Sequence, residues 1–158
     1  MNNMNKKNIF TFFLIIIILL YPLTVHASLK DNVIDILPNG GYITEEVNVY
    51  ENSISHLSTN HTKSGDKILR YKDSSGKTLW YIKVIGTFSY NGKKSTCTKS
   101  NISTVTHTPL WTFSNKSHSK TSNKAIANAT AKQYSNYVCI KSISKKVVLQ
   151  CSETGKLS

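Results

Sequence analysis

Residues 79–106, LWYIKVIGTFSYNGKKSTCTKSNISTVT, decide the fold because they carry the pattern of a β-hairpin. Six positions in the first half alternate with a period of two and so share one face of a strand: Trp80, Ile82, Val84, Gly86, Phe88 and Tyr90. Asn91-Gly92 follows directly and predicts a type I′ turn of two residues. We therefore expect two antiparallel strands in this stretch, with the Trp80 face in the core.

Shorter segments rich in apolar or β-branched residues predict further strands, in the ranges 47–50, 67–72, 110–113, 137–143 and 147–152. Residues 33–37 fit either a short strand or one helical turn. The polar stretch 114–123 is predicted to be a loop, and Ser144-Lys145-Lys146 to be the turn of a last hairpin.

Alanine occupies alternate positions from Ala125 to Ala131. Alanine favours helix, but this spacing gives no helical apolar stripe, so it predicts a strand whose inward side chains are small because another layer packs closely over them. About seven short strands of this kind predict an all-β fold, a small antiparallel sandwich or barrel.

The N-terminus has the pattern of an export signal. Lys6 and Lys7 precede the largely apolar run 9–20, and Val25-His26-Ala27 predicts cleavage after Ala27. An uncleaved anchor is the alternative, but the run spans only about 18 Å, short of the roughly 30 Å hydrocarbon core. The 158-residue chain therefore divides into a signal peptide, 1–27, and one secreted β-domain, 28–158, in which 28–66 is the least clearly predicted part and is expected to be partly irregular.

Charge is distributed unevenly along the predicted mature chain. Residues 28–73 contain seven acids against five basic residues, whereas 74–158 contain thirteen lysines against Glu153 alone. A field of one sign attracts polyanions such as cell-wall polymers or anionic lipid headgroups. A solvated basic face that keeps the protein soluble is the alternative. Because the excess is Lys rather than Arg, bidentate phosphate recognition is not favoured, and nothing indicates specific nucleic-acid binding.

Four lysines are candidates for polyanion binding because they flank predicted turns, where side chains are exposed: Lys93, Lys94, Lys145 and Lys146. Trp111 and Tyr134 lie among Lys and Ser, and they are the candidates for stacking on a ligand at the surface.

Two blocks, LWYIKVIGTFSYNGKKSTCT (79–98) and VVLQCSETGKLS (147–158), resemble an uncharacterised family of small secreted β-proteins of Gram-positive bacteria. That family shares a Leu-Trp, Gly-Thr-Phe, Tyr-Asn-Gly, Thr-Cys-Thr hairpin and a Leu-x-Cys-Ser, Gly-x-Leu-Ser tail. With 125–134 counted, the resemblance covers roughly half of the mature chain. It implies the fold, export and a disulfide between Cys97 and Cys151, and it implies no activity.

Cys139 departs from the family pattern. We expect it to be a free thiol, buried as a small apolar residue; an intermolecular bridge, or a pair with Cys151 across the last hairpin, are the alternatives.

Residues that carry out catalysis or bind metal are sparse. Seven of the eight acids precede residue 74, and none is adjacent to His107 or His118. The Cys and His spacings match no zinc motif, and no Gly-rich phosphate loop is present. We therefore expect neither an enzyme nor a cofactor.

These observations predict a secreted, non-enzymatic protein that binds an anionic surface or macromolecule and that is released or held at the cell surface by non-covalent contacts. The alternative is a secreted cationic antibacterial or toxin-like effector. A membrane-active effector is expected to expose a broad apolar patch or an amphipathic helix beside its lysines, and the sequence shows neither. The oligomeric state does not follow from the sequence.

Overall fold

The computed structural model describes residues 32–50 and 61–158, which form antiparallel β-strands in two sheets; the predicted signal peptide lies outside this part. The strands are β1 (Asn32–Ile36), β2 (Tyr42–Tyr50), β3 (His61–Lys72), β4 (Thr78–Tyr90), β5 (Ser95–Thr106), β6 (Trp111–Thr121), β7 (Lys124–Ser135) and β8 (Val138–Gln150). In chain order, β1 to β5 form one sheet and β6 to β8 the other. The predicted all-β fold is confirmed as a sandwich, not a closed barrel, with eight described strands rather than about seven.

The hairpin formed by β4 and β5 confirms the two strands predicted in 79–106, but its turn is not the predicted one. Tyr90 pairs with Ser95, so four residues connect the strands. Asn91 Oδ1 accepts hydrogen bonds from the backbone N–H groups of Lys93 and Lys94, at 3.1 and 3.0 Å. A type I′ turn needs positive φ at both central residues, and Gly92 is the one residue of 91–94 with positive φ (81°). The side chain of Asn91 therefore organises a longer turn.

Two further predictions are wrong because backbone pairing with β7 extends both of its neighbours. β6 continues through the predicted loop to Thr121, and β8 runs without a break through Ser144-Lys145-Lys146. The turn before β8 lies instead at Asn136-Tyr137, where both residues have positive φ, 47° and 65°, as in a type I′ turn. Of the two readings of 33–37, the strand is observed, as β1.

The core forms where the large side chains of the five-stranded sheet meet the small ones of β7. Trp80 and Phe88 are fully buried, as predicted for the Trp80 face. The four alternating alanines of β7 have exposed fractions of at most 2%. A Cβ placed on Gly86 would lie 3.0 Å from the Cβ of Ala125, so the two layers approach too closely for larger side chains at this point. The predicted alanine strand is confirmed.

The described connections gather at two ends of the sandwich. The tryptophan end comprises the connections 37–41, 73–77, 107–110 and 136–137, and the backbone N–H of Tyr134 donates to Leu110 O there at 2.9 Å. The cysteine end comprises 91–94, 122–123 and the tail 151–158, where Gly92 N–H donates to Glu153 O at 2.9 Å. Trp80 and Trp111 lie in the strands close to the first end, whereas Cys97 and Cys151 lie close to the second.

Candidate polyanion-binding surface

The outer face of the three-stranded sheet is basic because of the alternation in β7. The alanines point to the core, so Lys124, Asn128 and Lys132 point away from it, and Lys146 of β8 pairs with Asn128. Lys124 and Lys132 are eight residues apart, about 26 Å along the strand. We call Lys124, Lys132 and Lys146, together with the hydroxyl residues between them on the same face, the lysine face. These hydroxyl residues are Thr112, Ser117, Ser119, Thr121, Ser142 and Ser144.

The lysine face carries no opposing charge. Residues 111–150, which include all three strands of this sheet, contain neither Asp nor Glu. Within the described part of the chain, the side chains of Lys124, Lys132 and Lys146 form no ion pair. Because nothing neutralises these charges, they can attract an anionic ligand.

A β-bulge in β6 redirects its second half. Ser114 pairs with Thr130 but Ser117 pairs with Asn128, so β6 contains one extra residue here, and Asn115 has a positive φ of 51°. One extra residue exchanges the two faces of every position that follows. His118 and Lys120 consequently pair with Ala127 and Ala125 and lie beside the edge of β5.

This arrangement creates a groove of about 610 Å³ between β5 and β6, which we call the edge groove. Lys99 and His118 line it, and Lys120 Nζ donates across it to Thr98 O at 2.6 Å. Ser100 also lines the groove, and its buried hydroxyl has no hydrogen-bond partner among the described residues. No carboxylate lines the groove, so the charged side chains along it include lysines but no acid.

Searches with the chain against protein-family profiles, curated proteins and solved structures find no match. The chemistry of the surface itself is therefore the basis for assigning a function. Among residues 32–50 and 61–158, no three His, Cys, Asp or Glu side chains are grouped so that they could hold a metal ion. The same residues contain no helix long and apolar enough to cross a membrane.

The four lysines predicted to bind a polyanion are not brought together. Lys93 and Lys94 are exposed at the cysteine end, in the connection between β4 and β5. Lys145 and Lys146 lie in the middle of β8, so the prediction that they flank a turn is wrong. Lys145 Nζ forms an ion pair with Asp35 at 2.8 Å, which lowers the pKa of that carboxyl, first through the hydrogen bond and then through the charge. Of the four, Lys146 alone belongs to the lysine face.

The two aromatic candidates differ from prediction and from each other. Trp111 is 3% exposed, so its assignment to the surface is wrong. Its ring lies 5.5 Å from that of Tyr71 and 6.0 Å from that of Trp80, in the core cluster. Tyr134 is half-buried beside a shallow pocket at the tryptophan end, which Leu110 and Tyr137 also line.

All three cysteines are free thiols in the structure, so the predicted bond between Cys97 and Cys151 is not formed there. Both residues are buried at the cysteine end. The N–H of Cys97 donates to Ser122 O at 2.7 Å, and that of Cys151 to Asn123 O at 3.0 Å, so one two-residue connection holds both backbones. Burial raises the pKa of the Cys97 thiol.

Cys139 is exposed, so its predicted burial is wrong. It lies at the start of β8, opposite Tyr134, while Cys151 directly follows the other end of the same strand. The strand separates the two residues by about 40 Å, so they cannot pair within one chain.

One acidic residue is fully buried on the five-stranded sheet. Asp66 is 1% exposed, and its carboxylate accepts hydrogen bonds from Asn48 Nδ2 at 3.0 Å and from the hydroxyl of Tyr50. Lys83 Nζ lies 3.5 Å from the same carboxylate. The hydrogen bond to Asp66 is the main cause that raises the pKa of Tyr50 to about 12, followed by burial and the charge of Asp66. The Asp66 carboxylate, which belongs to β3, therefore links this strand to both β2 and β4.

Sequence reasoning missed most of the surface that the structure assembles. Lys99, His118 and Lys120 meet only because of the bulge, which no residue pattern indicates. Lys124 and Lys132 were detectable, because they alternate with the alanines that predict the inner face.

Proposed function

We propose that the protein is an exported, non-enzymatic binding protein that holds an anionic polymer on the lysine face and in the edge groove. The observation that carries this proposal is the absence of any acid from 111–150, the segment that builds the lysine face and one wall of the edge groove. A repeating phosphate polymer of the Gram-positive cell wall fits this chemistry, because successive negative charges can meet successive lysines along one direction.

The type of side chain determines the mode of binding. Lysine is a point charge on a flexible stem, so it attracts phosphate without the fixed bidentate geometry of arginine. Lys124, Lys146 and Lys132 succeed one another along β7 and β8, and the hydroxyls between them can donate to phosphate or sugar oxygens. Such a surface binds by summing weak contacts over an extended ligand.

Ser119 joins the two parts of the proposed site. It lies on the outer face of β6, opposite Ile126, and it also lines the edge groove. A polymer that crosses β6 at this point contacts lysines in both regions.

Export fits the same proposal. The signal pattern in 1–27 and the resemblance to secreted Gram-positive proteins support delivery to the cell wall, where such polymers occur. Outside the cell we also propose a bond between Cys97 and Cys151, supported by their attachment to adjacent residues, Ser122 and Asn123.

The decisive experiment compares two variants with the same loss of charge. The first carries Lys124→Gln, Lys132→Gln and Lys146→Gln; the control carries Lys93→Gln, Lys94→Gln and Lys156→Gln at the cysteine end. Binding to a poly(glycerol phosphate) is measured by calorimetry at increasing salt. We expect the first variant to lose at least about tenfold in affinity, with a weaker salt dependence because fewer counterions are released, and the control to lose much less.

Equal losses in the two variants would show that net charge alone attracts the polymer, and would contradict a defined face. A variant with Lys99→Gln and Lys120→Gln tests the groove by the same measurement. Binding of a neutral polysaccharide with equal affinity would also contradict the proposal.

A further inference from the structure

The tryptophan end exposes a group of apolar side chains. Leu110 is 53% exposed, Tyr137 101%, Val138 62% and Ile140 58%. These four residues, which we call the apolar tip, come from two connections and the strand start beside them. Turns at the end of a soluble sandwich usually carry polar residues, and clustered exposed apolar side chains commonly mark an interaction site.

The two connections that carry the apolar tip are joined by a backbone hydrogen bond. Tyr134 N–H donates to Leu110 O, which joins the connection before β6 to the hairpin of β7 and β8. Tyr137 lies at the turn of that hairpin with a φ of 65°, where Gly or Asn avoids a steric cost. A large aromatic residue thus occupies the most exposed position of a turn that disfavours it, which points to a role for its ring.

The surroundings of the tip are basic. Lys132 and Lys141 lie on β7 and β8 a few residues from the turn, and Lys77 is exposed in the connection between β3 and β4. Asp73 is the one acid in the four described connections of this end, and its carboxylate accepts hydrogen bonds from the backbone N–H groups of Ser75 and Lys77. An apolar tip at an end of the sandwich with more lysines than acids matches a surface that is apolar inside and anionic outside.

We infer that the apolar tip inserts into the headgroup region of an anionic lipid bilayer. The side chains of Leu110, Val138 and Ile140 enter the apolar boundary, and the ring of Tyr137 lies at headgroup level, where tyrosine is enriched. Lys77 and Lys132 face the anionic headgroups. Because few side chains enter, binding is shallow and reversible. The apolar tip shares no residue with the lysine face or the edge groove, so this inference goes beyond the proposed function.

The test uses the protein purified in its exported form and vesicles of phosphatidylcholine, with or without phosphatidylglycerol. One variant carries Tyr137→Ser, Val138→Ser and Ile140→Ser. The matched control removes three other exposed apolar side chains, from β1, by Val33→Ser, Ile34→Ser and Ile36→Ser. We expect binding to the anionic vesicles to fall at least about tenfold in the first variant and to persist in the control.

A Tyr137→Trp variant reports insertion directly. The emission of the introduced indole should shift to shorter wavelength with anionic vesicles and should be quenched by lipids brominated near the headgroup. Unchanged emission, or undiminished vesicle binding by the serine variant, would overturn the inference. A concentration-dependent dimer in lipid-free solution that the serine variant abolishes would assign the tip to a second copy of the chain instead.

The outcome is separable from that of the proposed function. The serine variant should bind poly(glycerol phosphate) unchanged. A variant with Lys124→Gln and Lys146→Gln alone, which keeps Lys132, should retain the emission shift when it is combined with Tyr137→Trp. Thermal unfolding of every variant establishes that it is folded, and these exposed positions are expected to change stability little.

Discussion

In both sheets of the sandwich, side chains alternate between the inner and the outer face, but the two sheets place different residues on these faces. The five-stranded sheet turns large side chains inward, with Trp80 and Tyr71 in ring contact at 5.3 Å, and holds a buried carboxylate, Asp66, on its other face. The three-stranded sheet turns alanines inward and lysines outward. The difference teaches that the three-stranded sheet separates stability from the proposed recognition by face: the outer lysines can change without disturbing the core, whereas the inner alanines cannot.

The largest expected effect comes from removing the main aromatic group of the five-stranded sheet. Trp80→Ala should lower the free energy of unfolding by about 3–5 kcal/mol, because Trp80 is fully buried against Trp111 and Phe113. Urea denaturation followed by circular dichroism measures this change. Trp80→Phe is the control; it should cost less, because it keeps a ring and removes an indole N–H that has no partner among the described residues. A loss below about 1 kcal/mol for Trp80→Ala would contradict the comparison.

Oxidation at the cysteine end should join the two sheets covalently. Oxidised glutathione accepts two electrons from the thiolates of Cys97 and Cys151 by exchange, which leaves one protein disulfide and two glutathione thiols. Closing a loop of about 54 residues should raise the unfolding free energy by up to about 4 kcal/mol. Non-reducing peptide mapping and urea denaturation check both statements.

Cys139→Ser is the matched control for oxidation and should form the same bond. Before oxidation, the buried Cys97 thiol, whose pKa is raised, should react with an alkylating reagent more slowly than exposed Cys139. A recovered peptide that links Cys139 to either other cysteine within one chain would show that the described arrangement is wrong.

The smallest effect concerns the close approach of the two layers. Ala127→Leu should destabilise the fold by about 1–3 kcal/mol, since Ala127 is fully buried and its replacement overfills the interface. Asn128→Leu, one position along on the outer face, should change stability by about 0.5 kcal/mol or less. Equal tolerance of leucine at both positions, measured by urea denaturation, would indicate that the sheets are not closely packed at Ala127.

The fold was predictable where side-chain alternation and burial coincide. The Trp80 face and the alanine strand follow from a period of two, and the structure confirms both. The second half of β6 was not predictable, because its residues from Ser114 onward are polar and its strand conformation comes from pairing with β7. The residue types of a segment indicate how its side chains will pack. They do not indicate the backbone hydrogen bonds that a neighbouring strand makes to it.

The candidate surface was less predictable than the fold. Trp111 was predicted to lie at the surface because lysine and serine are near it in the sequence. Its ring is instead buried among aromatic residues of the other sheet. Lys145 and Lys146 look alike in the sequence, but adjacent residues of a strand point to opposite faces of the sheet. Lys145 forms an ion pair with Asp35, whereas Lys146 lies on the lysine face. Recognition depends on which face each residue occupies, and the register fixes the face.

The order of strands within each sheet follows the order of the chain, and this has a consequence for how the protein comes to be folded. Every pairing joins strands that are consecutive in the sequence, so each sheet can grow by adding one hairpin at a time. The single step that is not local is the closing of β6 to β8 over β4, which covers Trp80. A chain that ended at Thr106 would contain all strands of the first sheet with their aromatic face uncovered, and an exposed apolar face of this kind favours aggregation. The last third of the chain carries the lysines proposed for recognition. It is also the part that covers the aromatic face of the first sheet and so protects it from aggregation.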